Sequence, residues 1–147
     1  MTSVWVVLPT YDERENLPTV VALTRAALAR CDPPVEGTVL VVDDASPDGT
    51  GELADQLARE HDDVRVHHRP GKGGLGGAYL AGFDEALAAG ADLVIEMDAD
   101  LSHDPADLPR LIDAARDGAD VVLGSRYVAR ESSCRCSGQP STPPPAM

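Results

Sequence analysis

Five short apolar runs, each too brief for a helix, alternate with longer stretches of helical period, and this alternation limits the fold more than any other feature of the sequence. Val4 to Leu8 is the first run, valine-rich and closed by Pro9. A run without polar positions suits a strand buried on both faces. Thr38 to Val42 follows and ends in Asp43 and Asp44, Val64 to His68 is a weaker third, and Leu93 to Met97 is a fourth closed by Asp98. Val121 to Leu123, before Gly124, Ser125 and Arg126, reads as the fifth. Between them, Leu17, Val20, Val21, Thr24 and Leu28 recur at helical spacing and predict a helix from about Glu13 to Arg30, with Asp12 and Glu15 at capping-box spacing. Thr50 reads as the N-cap of a second helix presenting Leu53 and Leu57. A third helix carries Leu80, Phe83 and Leu87, and a fourth, Pro105 to Asp117, turns Leu108, Leu111, Ile112 and Ala115 inward. Strands alternating with helices mean parallel pairing by right-handed crossovers, with helices on both sheet faces.

Composition narrows the function classes. The 147 residues carry 12 basic and 25 acidic side chains, a formal charge of -13, with Lys72 the only lysine. That balance excludes a nucleic-acid surface, which needs clustered Lys and Arg to displace counterions. The three cysteines, Cys31, Cys134 and Cys136, close no disulfide framework and lack a zinc-ligand pattern, which fits a reducing compartment. Met1 to Leu8 has no basic and long apolar signal segment, and no window approaches the ~20 apolar residues of a membrane span. A cytoplasmic protein, soluble or peripheral at a membrane, is the expectation. Residues 1–128 read as one α/β domain; residues 129–147 are rich in Ser, Cys and Pro without hydrophobic period, and are expected to be a disordered tail.

Chemistry collects at the carboxyl ends of the strands, where an open parallel sheet binds ligands. Strand one delivers Tyr11, Asp12 and Glu13, strand two Asp43 and Asp44, strand three Arg69 and Lys72, strand four Asp98 and Asp100, strand five Ser125 and Arg126. For Asp12 ordinary turn or cap chemistry is the preferred reading. The most informative piece is Glu96-Met97-Asp98-Ala99-Asp100-Leu101-Ser102, where two carboxylates one residue apart point the same way on extended backbone. Like charges held so close call for a divalent cation between them, and Mg2+ takes one or two carboxylates plus substrate phosphates. Asp43 and Asp44 suit hydrogen bonding to a ribose or a base, and equally an Asx-type turn feeding Pro47, Asp48 and Gly49.

Gly71, Gly73 and Gly76 match G-x-G-x-x-G with Glu96 beyond, which makes a dinucleotide oxidoreductase a rival reading. Against it, the motif follows the third strand rather than the first, and Pro70 interrupts the junction. A loop placing Arg69 and Lys72 over a phosphate explains the same glycines. His61, His67, His68 and His103 carry no ligand spacing, and His103 gains interest only from its neighbours.

Taken together, Pro9-Thr10-Tyr11-Asp12-Glu13-Arg14-Glu15-Asn16-Leu17, Val42-Asp43-Asp44-Ala45-Ser46-Pro47-Asp48-Gly49-Thr50, Arg69-Pro70-Gly71-Lys72-Gly73-Gly74-Leu75-Gly76, Met97-Asp98-Ala99-Asp100-Leu101-Ser102-His103 and Gly124-Ser125-Arg126-Tyr127 resemble the dolichol-phosphate (polyprenol-phosphate) mannosyltransferases. These are inverting family 2 glycosyltransferases of the GT-A fold, and the resemblance covers Val4 to about Val128. It implies a GDP-mannose donor, a polyprenyl phosphate acceptor and a Mg2+ or Mn2+ cofactor. Pro9, Tyr11, Glu13, Val42 and Asp44 would line the nucleotide, and Asp98, Ala99 and Asp100 would hold the sugar-nucleotide diphosphate. Asp98 and Asp100 would be the catalytic carboxylates, Asp100 with Ser102 would serve the metal, and Arg126 would face phosphate. Asp12 stands where the family has asparagine, a minor change. The larger departure is the ending, because the family continues into further strands, acceptor-side helices and basic residues beyond Gly-Ser-Arg-Tyr; the expectation is a C-terminally shortened domain. A membrane-anchoring partner or further domain is one way such a chain reaches its lipid. Alternatives are a transferase of another sugar to polyprenyl phosphate and a non-catalytic donor-binding fragment.

Overall fold

The structure, a computed structural model, describes residues 1–125. Four parallel strands form one sheet in the order β3-β2-β1-β4: β1 (Thr2–Thr10), β2 (Val35–Asp43), β3 (Val64–His68) and β4 (Leu93–Glu96). β1 is central and pairs along its whole length with β2, from Thr2 opposite Val35 to Thr10 opposite Asp43. Alternation along β1 and β2 divides the core in two. Val4, Val6, Leu8, Val39 and Val41 face one cluster, with helices α1 (Leu17–Leu28), α2 (Thr50–Glu60) and α4 (Leu108–Arg116). Trp5, Val7, Leu40 and Val42 face the other, against α3 (Leu75–Ala88). Both faces of the central strands are therefore dry, which is why valine fills them without a polar interruption.

α1 begins later than its apolar period suggests. Asp12, with a left-handed backbone (φ 57°), lies in the loop four residues before Asn16, which takes the N-cap position, and Pro18 fits the first turn, where its missing N–H is not needed. In α2 the N-cap is Gly49 (φ 88°), and Thr50 is the first helical residue. The last helix is reached through a 3-10 turn, Pro105–Asp107, where Asp104 accepts from the N–H of Ala106 at 3.0 Å.

α3 differs most from its expected face. Ala78, Gly82 and Ala86 meet the sheet, while Leu80 and Leu87 stand 64% and 65% exposed. Gly82 sets this: a Cβ there would lie 2.4 Å from Val7 Cγ1, so the helix backbone lies almost directly on the strand and only small residues fit beneath it. Gly82→Ala is expected to cost about 2 kcal/mol despite the better helix propensity of alanine, read as a lower thermal midpoint. An unchanged midpoint would contradict the close approach.

The fifth strand is not formed. Residues 121–125 carry no strand pairing, and Val121 and Leu123 are 76% and 84% exposed. The physical reason is that β4 is a four-residue edge whose side chains are only partly covered, so a three-residue run beside it gains little burial. Arg126, Tyr127 and the tail from 129 lie outside the described residues. No helix among the described residues is long and apolar enough to cross a membrane.

Candidate functional site

Strand order reverses at β1, whose chain leads to β2 on one side while β4 packs on the other, so the loops after β1 and β4 part above their carboxyl ends. A cleft of about 380 Å³ opens there. Pro9, Tyr11 and Glu13 reach it from the end of β1 and Asp44 from the end of β2. Asp98, Ala99 and Asp100 reach it from the end of β4. The structure thus brings together residues expected from sequence to bind a donor, and adds Lys72, Gly74, Leu75 and Ala78 from the glycine loop and α3. It does not bring in the Val42 side chain, which is fully buried beneath α3. Arg126 is not among the described residues.

Each rim loop turns on one left-handed residue that is not glycine: Asp12 (φ 57°) after Tyr11, Ala45 (φ 54°) after Asp44, and Leu101 (φ 64°) after Asp100. Such backbone costs about 1 kcal/mol per residue and persists only where surrounding bonds impose it. Those bonds are present. The N–H of Asp12 donates to Ser46 Oγ at 3.1 Å, that of Glu13 to Thr50 Oγ1 at 3.1 Å, and that of Arg14 to Asp48 Oδ2 at 3.2 Å. Ser46, Asp48 and Thr50 therefore lace the second loop to the first. Thr50 also hydrogen-bonds Asp48 through its hydroxyl, and that bond first of all holds the Asp48 carboxyl below its ordinary value.

The aspartate pair after β2 divides its work. Asp43 is structural: Oδ1 accepts from Thr10 Oγ1 at 2.9 Å and from Ser46 Oγ at 2.6 Å, and Oδ2 from the N–H of Ser46 at 3.1 Å, an Asx-type turn. Asp44 faces the cleft. Arg69 Nη1 donates to its two oxygens at 2.7 and 3.0 Å, and the N–H of Gly73 donates to Oδ2 at 3.1 Å. Arg69 is thus engaged with a carboxylate rather than poised over a phosphate. A Cβ on Gly73 would lie 2.3 Å from its guanidinium, so this glycine makes room for the arginine. β3 is an edge strand and the Gly73 amide is directed at Asp44, neither of which suits a dinucleotide fingerprint. Lys72 lies with Nζ 4.2 Å from the centroid of the Tyr11 ring, closing the glycine loop over the first loop.

Asp98 and Asp100 share the far wall. The N–H of Ser102 donates to Asp100 Oδ1 at 2.9 Å, and the Ser102 hydroxyl is the largest influence holding the Asp100 carboxyl below its ordinary value, burial opposing it weakly. The expected partners Asp100 and Ser102 are therefore in contact. Asp98 Oδ1 accepts from the Tyr79 hydroxyl at 2.8 Å. Burial first, then that bond, pushes the Tyr79 phenol well above its ordinary value, so it remains a donor. Tyr79 is the residue the sequence reading missed; its only signal was its place one position after Ala78 on the face of α3 that meets the sheet. The N–H of Asp98 donates to His103 Nδ1 at 3.3 Å. A larger hollow of about 440 Å³ lies across the same loop, lined by Ser102, His103, Asp107 and Arg110, but it holds neither Asp98 nor Asp100.

Among the described residues no three His, Cys, Asp or Glu side chains form a closed metal cage. Two carboxylates with an adjacent hydroxyl, all hard oxygen donors beside an open cleft, instead fit an ion whose remaining ligands come from a diphosphate and water.

With the geometry in place, comparison with known proteins gives a consistent picture. The profile described as Glycosyl transferase family 2 matches residues 5–139. The polyprenol monophosphomannose synthase of Mycolicibacterium smegmatis is 56% identical over 124 residues, 84% of this chain and 44% of that protein. The undecaprenyl-phosphate mannosyltransferase of Micrococcus luteus is 53% identical over 122 residues, 83% of this chain and 47% of that protein. The chain thus spans a little under half the length of these curated relatives. Among solved structures, the mannosyltransferase PcManGT of Pyrobaculum calidifontis, in complex with GDP-Man and Mn2+, superposes with a TM-score of 0.58 at 24% identity, covering 75% of this chain and 31% of that one. That likeness concerns the fold, a parallel sheet with helices on both faces as in GT-A glycosyltransferases. With a profile that spans most of the chain and relatives above half identity, the chain belongs to glycosyl transferase family 2.

Proposed function

We propose that this chain supplies the donor site of an inverting glycosyltransferase that moves mannose from GDP-mannose to a polyprenyl monophosphate with Mg2+ or Mn2+. The observation that carries the reading is the convergence of Tyr11, Asp44, Asp98 and Asp100 on one cleft at the strand-order reversal. Relatives named for mannosyl transfer to polyprenol phosphate support the substrate pair.

In this reading Asp44 accepts hydrogen bonds from the ribose or base, and Tyr11 offers a ring face to the nucleotide. Asp98, Asp100 and Ser102 would hold the metal. When bound, the ion compensates charge that develops on the departing diphosphate. Lys72, at the mouth of the cleft, adds positive charge beside the same phosphates. The acceptor is itself a phosphate anion near neutral pH, so attack on the anomeric carbon from the opposite face needs no strong general base. The protein's contribution is position and charge rather than proton abstraction. Arg126, outside the described residues, is the proposed contact to the acceptor phosphate.

Calorimetric titration with GDP and GDP-mannose, in Mn2+ and in EDTA, tests the reading. Binding should be at least ~10-fold tighter with the metal. Labelled mannose appearing in polyprenyl phosphate would add transfer to donor binding, whereas metal-dependent binding without transfer would mark a donor-binding unit. Equal affinity in Mn2+ and EDTA would refute the metal-diphosphate site.

A further inference from the structure

The two cleft carboxylates are held by chemically different partners. Asp44 is gripped by a cation, Arg69, whereas Asp98 is gripped by a neutral phenol, Tyr79. Both partners belong to the stretch that runs from the end of β3 through the glycine loop into α3. That difference matters for what each carboxylate has left to offer. A guanidinium neutralises most of the charge on Asp44, leaving an acceptor suited to the N–H and O–H groups of a neutral ligand. A phenol fixes geometry without cancelling charge, so Asp98 keeps its attraction for a cation.

The ring that carries the Tyr79 hydroxyl is itself held in place. Its ring packs against the core cluster beneath α3 and lies 6.3 Å from Phe83, tilted by 40°. The height of the helix above the sheet is fixed one turn later by the contact of Gly82 with Val7. Asp98, by contrast, is 36% exposed at its side chain, and its Oδ2 lies 3.9 Å from His103 Nε2, beyond hydrogen-bond distance. An aspartate at that exposure samples several χ1 rotamers unless a bond selects one.

We propose that Tyr79 is a positioning residue of the donor site: its hydroxyl holds the Asp98 carboxylate in the orientation that faces the cleft before any nucleotide or metal arrives. The inference rests on the donor-site reading for its purpose, although the geometry it describes exists in the free protein. A preset carboxylate removes the ordering cost that binding would otherwise carry. Tyr79→Phe keeps the ring, its packing and the helix, and deletes only the hydroxyl.

The test uses the full chain and two readouts. Three-bond couplings to the Asp98 carboxyl carbon, measured by NMR without ligand, report its χ1 rotamer. The wild type should show one rotamer and Tyr79→Phe an average. Titration with GDP should then show affinity in Mn2+ reduced roughly tenfold by the substitution, with affinity in EDTA unchanged. A single unaltered Asp98 rotamer in Tyr79→Phe would overturn the proposal, as would rotamer averaging with undiminished Mn2+-dependent affinity. Wild-type protein with one Asp98 rotamer but no Mn2+-dependent GDP binding would overturn the donor-site reading, and with it the purpose assigned to Tyr79, while the hydrogen bond itself would stand.

Discussion

Arg69→Met is expected to lower folding stability by about 3 kcal/mol, a fall of about 10 °C in the thermal midpoint. Asp44 and Arg69 are 7% and 18% exposed at their side chains, so this pair sits largely out of water. Methionine keeps much of the apolar stem and volume while removing the Nη1 group that donates to both carboxylate oxygens. What remains for Asp44 is the single N–H of Gly73 at 3.1 Å, a poor exchange for a buried charge. Breaking one half of such a pair costs more than replacing both halves, so adding Asp44→Asn to Arg69→Met should recover part of the loss. Thermal unfolding of the two variants decides the point. If the single variant melted like the wild type, the pair would be no more than a surface contact.

Asp100→Ala is expected to weaken Mn2+-dependent GDP binding by about 100-fold and to move the thermal midpoint by no more than about 3 °C. Asp100 is exposed and its interactions are local, chiefly with Ser102. Its removal therefore takes away a proposed metal ligand without opening a cavity. The two substitutions separate the wall that holds the fold from the wall proposed to hold an ion: one should act mainly on the melt, the other on metal-dependent calorimetry. Undiminished binding by Asp100→Ala in Mn2+ would remove the basis for placing the ion there.

Much of this was legible in the sequence because the informative residues are governed by local rules. Val4 to Leu8 and Val39 to Val42 are apolar at every position, as only a doubly covered strand allows, and both belong to central strands. Asp98 and Asp100 declare themselves by spacing at a strand end. What stayed hidden depends on contacts between distant segments. Asp43 and Asp44 are indistinguishable as neighbours, and only Thr10 and Ser46 on one side and Arg69 on the other assign one to the turn and one to the cleft. Of the apolar residues the sequence offers on α3, Phe83 packs against the core while Leu80 and Leu87 face outward, because the close approach of Gly82 to Val7 sets which face meets the sheet. Val121 to Leu123 has strand composition but, among the described residues, nothing to cover it. Tyr79 stands out by no spacing in the sequence, and its hydroxyl acquires meaning only beside Asp98.

The sheet order also bears on when the cleft comes into being as the chain folds. β2 joins β1, and β3 joins β2, through single crossovers, bringing Thr10 to Asp43 across 33 positions and Asp44 to Arg69 across 25. β4 must instead return to the opposite edge of β1, where Ser3 meets Asp92 across 89 positions. Loop-closure entropy grows with that separation, so the wall bearing Asp98 and Asp100 is the part topology delivers last. A molecule that bridges Asp44 and Asp100 would tether the edge strand β4 to the inner strand β2 across β1 and slow its departure, making the late-docking strand the one whose amide exchange responds most to an occupied cleft.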